Sequence, residues 1–310
     1  MRVLYFGTPQ LSAKCLQFLA EKGVEIVGVV TNPDKPRGRS SKKCYPDVKV
    51  HAQIIFENVP IFQPLNLLDQ KFIGEITALQ PDIGVVVAYG KILPKKVLEI
   101  PKLGCINLHM SLLPKYRGAS PIQSAILHGD EESGVSVIEM TERMDEGDIL
   151  YSKRIKLNLD SDREIVESQL VETGKDALLT VIQNFLYYDR VKVPQNCLGV
   201  SYVKKINIET AKIDWSKTAF EIKNQVRAFC PKPGAWTQVN IRGLKKRLKI
   251  FQIKIIKGSL ETINSKKRWV IKHSNEPIEI LEVQLEGKKK MTSKEFLLQF
   301  DRQPEIIINQ

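Results

Sequence analysis

Residues 105–118 read Cys105-Ile106-Asn107-Leu108-His109-Met110-Ser111-Leu112-Leu113-Pro114-Lys115-Tyr116-Arg117-Gly118. The first five predict a short buried strand. Pro114 and Gly118 predict an ordered loop after it rather than a helix. Alternation along a strand puts Asn107 and His109 on one face. Similar short apolar runs lie on both sides, at Arg2–Phe6, Val24–Val30 and Ile83–Val87 before it and at Val135–Met140 after it. Helix-length segments separate several of them; Leu11–Lys22, for one, carries Leu11, Cys15, Phe18 and Leu19 on a single helical face. Strands alternating with helices predict parallel β-α-β units, hence an α/β fold whose sheet is covered on both faces. In such sheets ligands bind beyond the carboxyl ends of the strands, and Asn107 and His109 sit at one such end.

Met144-Asp145-Glu146-Gly147-Asp148 follows the Val135–Met140 strand. An Asn, a His and an acid are therefore expected at the ends of neighbouring strands, and together they make an acyl-transfer set. The amide of Asn107 donates to an oxyanion, the imidazole of His109 moves a proton near neutral pH, and the carboxylate of Asp145 orients the ring or stabilises its charged form. Spacing alone is weak evidence, and each residue has an ordinary reading as a surface or core side chain. Cys105 alternates with Asn107 but reads as a core thiol, because a one-step transfer to an amine needs no enzyme nucleophile. Gly7-Thr8-Pro9 lacks the G-x-G-x-x-G pattern, so no dinucleotide fingerprint follows the first strand.

Farther along, Arg163–Asp189 predicts a long helical stretch, and the turn-rich residues 191–206 predict a linker. Thr218–Phe229 predicts a helix opened by a capping box, with Ala219, Ile222, Val226 and Phe229 on one face and Pro231, Pro233 and Gly234 ending it. Trp236–Ile241, Leu248–Ile256, Trp269–His273 and Ile278–Gln284 then predict a small β domain of barrel type. The expected organisation is a catalytic domain over 1–190, a linker over 191–206 and a C-terminal domain over 207–310.

The 43% hydrophobic and 26% charged residues are those of a soluble globular chain. No apolar run approaches the ~18 residues of a membrane span. Met1–Gly7 runs straight into a strand with no leader pattern, so the cytoplasm is expected. The five cysteines are scattered and never spaced C-x-x-C, which argues against a disulfide framework and a zinc site. Of the net charge of +12, residues 207–310 carry +10, with 21 Lys and Arg against 11 Asp and Glu; residues 1–206 carry 26 against 24. That asymmetry points to a polyanionic partner for the C-terminal part, although a generally Lys-rich proteome gives the same excess. The loop Asp34–Lys43, with Arg37, Arg39, Lys42 and Lys43, reads as a phosphate-backbone contact or as a solvated loop.

On these residues the chain resembles the folate-dependent formyltransferase superfamily. Asn107–Gly118 followed by Met144–Leu150 is similar to its signature: the Asn-x-His pair and the later Asp match the catalytic trio, and Ser111-Leu112-Leu113-Pro114 matches the folate-contacting segment. Phe6-Gly7-Thr8-Pro9, Pro33–Arg39, Val86–Pro94, Ala119–Gln123, Ile213-Asp214-Trp215, Arg227-Ala228-Phe229 and Lys289-Lys290-Met291 are similar to the methionyl-tRNA formyltransferase family within it. The resemblance implies a Rossmann-like formyltransferase domain and a C-terminal β-barrel of OB type. It also implies a monomer with no metal, taking 10-formyltetrahydrofolate as donor and the α-amino group of methionyl-initiator tRNA as acceptor. The implied catalytic residues are Asn107, His109 and Asp145. Ser111, Leu112, Leu113 and Pro114 are the implied folate contacts, and the loop bearing Arg37, Arg39, Lys42 and Lys43 is the implied tRNA contact. A chain ending near Val203 is then expected to keep folate binding and lose tRNA affinity.

Two departures stand out. Relatives often have Gly-Leu-Asp-Thr-Gly where this chain has Arg143-Met144-Asp145-Glu146-Gly147, which brings charge to the cleft rim, and Ser40-Ser41 stand where relatives often have Gly and Lys. Formyl transfer to a small amine would use the same core motifs, and an RNA-binding protein on a degenerate enzyme core is the alternative from another class.

Overall fold

The computed structural model describes residues 1–36, 43–256, 268–273, 276–300 and 304–307. They divide into two compact units, one of residues 1–121, 132–156 and 167–203, the other of residues 122–131, 157–166 and 204–310.

The first unit is built on β1 (Arg2–Gly7), β2 (Glu25–Val30), β3 (Ile61–Phe62), β4 (Ile83–Val87), β5 (Cys105–His109), β6 (Glu132–Glu139) and β7 (Ile149–Lys156). They form one seven-stranded sheet in the order β7-β6-β5-β4-β1-β2-β3. β1 to β5 pair in parallel, as the alternating runs predict. Val3, Leu4, Tyr5 and Phe6 are all fully buried, the mark of a strand covered on both faces. Helices α1 (Gln10–Glu21), α2 (Asp47–Ile55), α3 (Gln70–Ala78) and α4 (Lys95–Leu98) lie between these strands in the chain. One core cluster joins Leu4 and Phe6 of β1 to Phe72 and Ile76 of α3 and Val97 of α4. Each such side chain contributes about 1.5–3 kcal/mol by leaving water.

β6 and β7 depart from the parallel expectation: β6 runs antiparallel to β5, and β7 antiparallel to β6. A parallel return needs a crossover of a dozen or more residues. Residues 140–148 between β6 and β7 are too few for that. Between β5 and β6 the chain passes through α5 (Pro121–His128), most of which belongs to the second unit.

The stretch expected as one long helix is α6 (Arg163–Gln183) and α7 (Phe185–Val191), parted at Asn184. A Cβ on Gly174 of α6 would lie 2.7 Å from Leu108 of β5, so the glycine permits close approach of helix to sheet. Residues 191–203, expected as linker, are part of the first unit. Val193 exchanges both backbone hydrogen bonds with Ile149, at 2.8 and 2.9 Å, and Tyr202–Val203 pairs in parallel with Arg117–Gly118.

In the second unit the predicted capping box is present, Thr218 and Glu221 opening α8 (Ala219–Phe229). The antiparallel strands β8 (Ala235–Ile241), β9 (Leu244–Ile255), β10 (Trp269–Ile271), β11 (Ile278–Leu285) and β12 (Glu305–Ile307) run in the order β10-β11-β9-β8-β12. Register shifts around Gln252 bend β9, and the sheet curls into a small domain of barrel type. Arg227 of α8 is buried and donates to the carbonyls of Ser161 at 3.1 Å and Ile126 at 3.3 Å. It thereby ties segments 122–131 and 157–166 into this unit. A chain ending near Val203 would keep both segments and lose the rest of the unit to which they belong.

Candidate active site

β5 presents Asn107 and His109 two residues apart, opposite Ile138 and Ser136 of β6. The connection 140–148 carries Asp145 onto both. The Asn107 amide donates to Asp145 Oδ1 at 3.3 Å, and His109 Nδ1 lies 3.6 Å from Asp145 Oδ2. The backbone N–H of Gly118 donates to the same Oδ2 at 2.8 Å. His109 is buried, and its Nε2 lies 2.9 Å from the Tyr116 carbonyl. A carbonyl only accepts, so Nε2 carries the hydrogen there and Nδ1 is the nitrogen turned to Asp145. The ring is thus oriented by a backbone carbonyl as well as by the acid. The three residues read from the sequence are brought together.

Two backbone features hold this arrangement. Tyr116 and Asp145 both lie in the left-handed region, with φ of +61° and +55°. Such a residue costs about 1–3 kcal/mol and persists only where its surroundings over-determine it. Gly118 has φ +112°, and a Cβ there would come within 2.3 Å of the Val203 carbonyl oxygen, so only glycine lets its N–H reach Asp145.

The segment Ser111–Pro114 leaves β5 directly beside the trio. The Ser111 hydroxyl is buried and donates to the Lys115 carbonyl at 2.7 Å, while Ser136 of β6 donates to the Ser111 carbonyl and accepts from Leu113 N–H. Leu113 is buried, and Leu112 and Pro114 are half-buried. The segment is therefore a pinned wall. A separate cleft of about 740 Å³ is lined by Leu98, Cys105, Met140, Thr141, Glu142 and Arg143, among others, and includes Glu146 next to Asp145. Its size is that of a small-ligand pocket. Ser111–Pro114 do not line it, and no sequence motif marks its walls. Cys105 lies on one wall, but burial pushes its thiol up to about 12, so it stays protonated at neutral pH and behaves as the expected core thiol.

Charge gathers at the rim. The Tyr202 hydroxyl donates to Glu146 at 2.7 Å, and Arg117 and Arg143 lie 3.4 and 3.7 Å from its carboxylate. The Tyr202 hydrogen bond first, then the two guanidinium groups, hold the Glu146 carboxyl below its usual range. Gln195 and Tyr202 come from the stretch expected as linker and were missed; only Pro194 and the surrounding turn residues mark that stretch.

Among the described residues, no group of three His, Cys, Asp or Glu could hold a metal ion, and no helix is long and apolar enough to cross a membrane. Arg37, Arg39 and Lys42 lie outside the described residues. Lys43 opens the second strand of the short hairpin Lys35–Pro36/Lys43–Cys44 that frames them, and its side chain lies outside the description too.

Comparison with known proteins gives the family. Residues 1–182 match the formyl transferase model and residues 205–301 match the formyl transferase C-terminal domain. A methionyl-tRNA formyltransferase of Protochlamydia amoebophila is 38% identical over 302 residues, covering 96% of this chain and 94% of that protein. One of Alkaliphilus oremlandii is 37% identical and covers 96% of each. The fold is shared with WlaRD, a sugar 3N-formyl transferase solved with dTDP and 5-N-formyl-THF, at TM-score 0.64 and 19% identity, covering 93% of this chain and 99% of that one. HypX of Aquifex aeolicus, solved with tetrahydrofolic acid, gives TM-score 0.64 at 17% identity, covering 96% of this chain and 47% of that one. Matched by both domain models and, over nearly its full length, by relatives at 37–38% identity, the chain belongs to the methionyl-tRNA formyltransferase family.

Proposed function

We infer that this protein transfers the formyl group of 10-formyltetrahydrofolate to the α-amino group of methionyl-initiator tRNA. The observation that carries the reading is the convergence of Asn107, His109 and Asp145, in a chain alignable over nearly its full length with methionyl-tRNA formyltransferases. The donor would lie against Ser111–Pro114, the wall beside the trio and nearest the reacting carbon. It supplies a formyl group already activated as an arylamine amide.

The residues then divide the work. An amide NH₂ has two hydrogens; the contact with Asp145 uses one, and the other is available to the formyl oxygen as negative charge develops there. A free α-amino group titrates near 7.7–8.0, so at neutral pH a useful fraction attacks unprotonated and still must lose one proton. The His109–Asp145 pair takes that proton through Nδ1 and returns it to the leaving folate nitrogen. Asp145 is held for this by Gly118 N–H, and His109 by the Tyr116 carbonyl.

The tRNA would be held by its phosphates on the basic C-terminal unit, with the Arg37–Lys43 loop meeting its acceptor end. The protein would act as a monomer in the cytoplasm. The test is transfer of labelled formyl to methionyl-initiator tRNA, uncharged tRNA and a panel of small amines. Transfer to the charged initiator alone is expected. Turnover on a small amine with none on tRNA would keep the superfamily chemistry and refute the acceptor.

A further inference from the structure

Gln195 lies in the turn-rich stretch after α7 and touches neither His109 nor the Asp145 carboxylate, yet all its hydrogen-bonding capacity is directed at the two loops that hold them. Its amide nitrogen donates to the backbone carbonyls of Asp145 and Gly147, each at 2.8 Å. Its Oε1 accepts from Arg117 Nε at 3.1 Å and from Nη2 at 2.8 Å. Two donors and two acceptor positions are what a glutamine has, and here all are filled.

The four hydrogen bonds bracket the reacting pair. On one side they fix the peptides around Asp145, whose φ of +55° lies in the left-handed region that few residues other than glycine, asparagine and aspartate adopt. Gly147 is equally constrained, since a Cβ there would meet the Glu139 carbonyl oxygen at 1.8 Å. On the other side they fix Arg117, whose chain neighbours Tyr116 and Gly118 supply the carbonyl that orients His109 and the N–H that binds Asp145. The paired backbones of Val193 and Ile149 set the position of Gln195 itself.

We propose that Gln195 is a positioning residue for the transfer: it clamps the Asp145 loop to the Arg117 loop and so fixes the approach of Asp145 to His109. The proposal rests on the reading of Asp145 given above. A merely structural glutamine would affect folding; a positioning one affects turnover, because a displacement of about 1 Å costs on the order of 100-fold.

Gln195→Glu separates the two. It keeps size and the acceptors toward Arg117, removes both donors, and sets a carboxylate against two carbonyls. In the full-length enzyme with 10-formyltetrahydrofolate and methionyl-initiator tRNA, kcat is expected to fall about 10- to 100-fold, with KM for tRNA within about twofold of wild type. In an Asp145→Ala background, adding Gln195→Glu is expected to change the residual kcat hardly at all, since the two act as one unit. If Gln195→Glu does not fold, Gln195→Met, of similar length and without donors, is read the same way. Wild-type kcat in the single variant, or additive losses in the double one, overturns the proposal. An unimpaired Gln195 variant beside a crippled Asp145→Ala overturns the proposal alone. Wild-type kcat in Asp145→Ala overturns the reading of Asp145 and the proposal with it.

Discussion

Around Asp145 in the first unit, both carboxylate oxygens and the backbone carbonyl receive hydrogen bonds from Asn107, Gly118 and Gln195. Along β9 and the turn before it in the second unit, by contrast, Arg242 and Lys245 stand exposed, as do Lys288, Lys289 and Lys290 after β11. The first region is a small, mutually constrained set in which backbone strain is held by neighbours. The second is a spread of exposed cations over several turns. Bond-making needs atoms fixed to a fraction of an ångström, whereas holding a polyanion needs summed charge. A single substitution should therefore have a large effect in the first region and a small one in the second.

The largest effect is expected for Asp145→Asn, which keeps the shape but removes the charge facing Nδ1: kcat should fall about 10²- to 10⁴-fold, and a loss below tenfold would erase the contrast. Next comes Gly118→Ala. With φ at +112° and the Val203 carbonyl 2.3 Å from the new Cβ, a cost of about 2–4 kcal/mol is expected in denaturant unfolding, together with reduced turnover. A smaller effect belongs to the second unit. Lys245→Ala with Lys289→Ala should raise KM for tRNA several-fold at unchanged kcat, and the salt slope should fall by about 1 for every phosphate that is no longer neutralised. If kcat moved as much as KM, the second unit would be part of the reacting geometry. Least affected are the buried thiols of both units. Burial pushes Cys15 and Cys105 up to about 12 and Cys230 to about 11, so an alkylating agent at pH 8 should spare all three and label the exposed Cys44 and Cys197. Rapid labelling of Cys105 would mean that its cleft wall opens.

The parallel strands are legible in the sequence because runs such as Ile83–Val87 and Cys105–His109 have the composition and spacing of buried strands. The directions of β6 and β7 are not legible, since periodicity shows which face is buried and carries no sense of direction. Asn107, His109 and Asp145 can be read because their side-chain types fit one chemistry. What orients them cannot: the Tyr116 carbonyl is backbone, and Gln195 sits among turn residues with no period to place it. The cleft walls join Leu98 of α4 to Met140 and Glu142 of the β6–β7 connection, which no single motif marks. Arg227 carried a faint signal, a charge beside the apolar stripe of α8, and proves to be a buried donor to the carbonyls of Ile126 and Ser161.

The most direct test of the account is the single-turnover rate of formyl transfer from saturating 10-formyltetrahydrofolate to methionyl-initiator tRNA, wild type beside His109→Ala. Ready transfer is expected for the wild type, with a rate at least about 100-fold lower in the variant. Transfer by His109→Ala at the wild-type rate, with the same pH dependence, would contradict it.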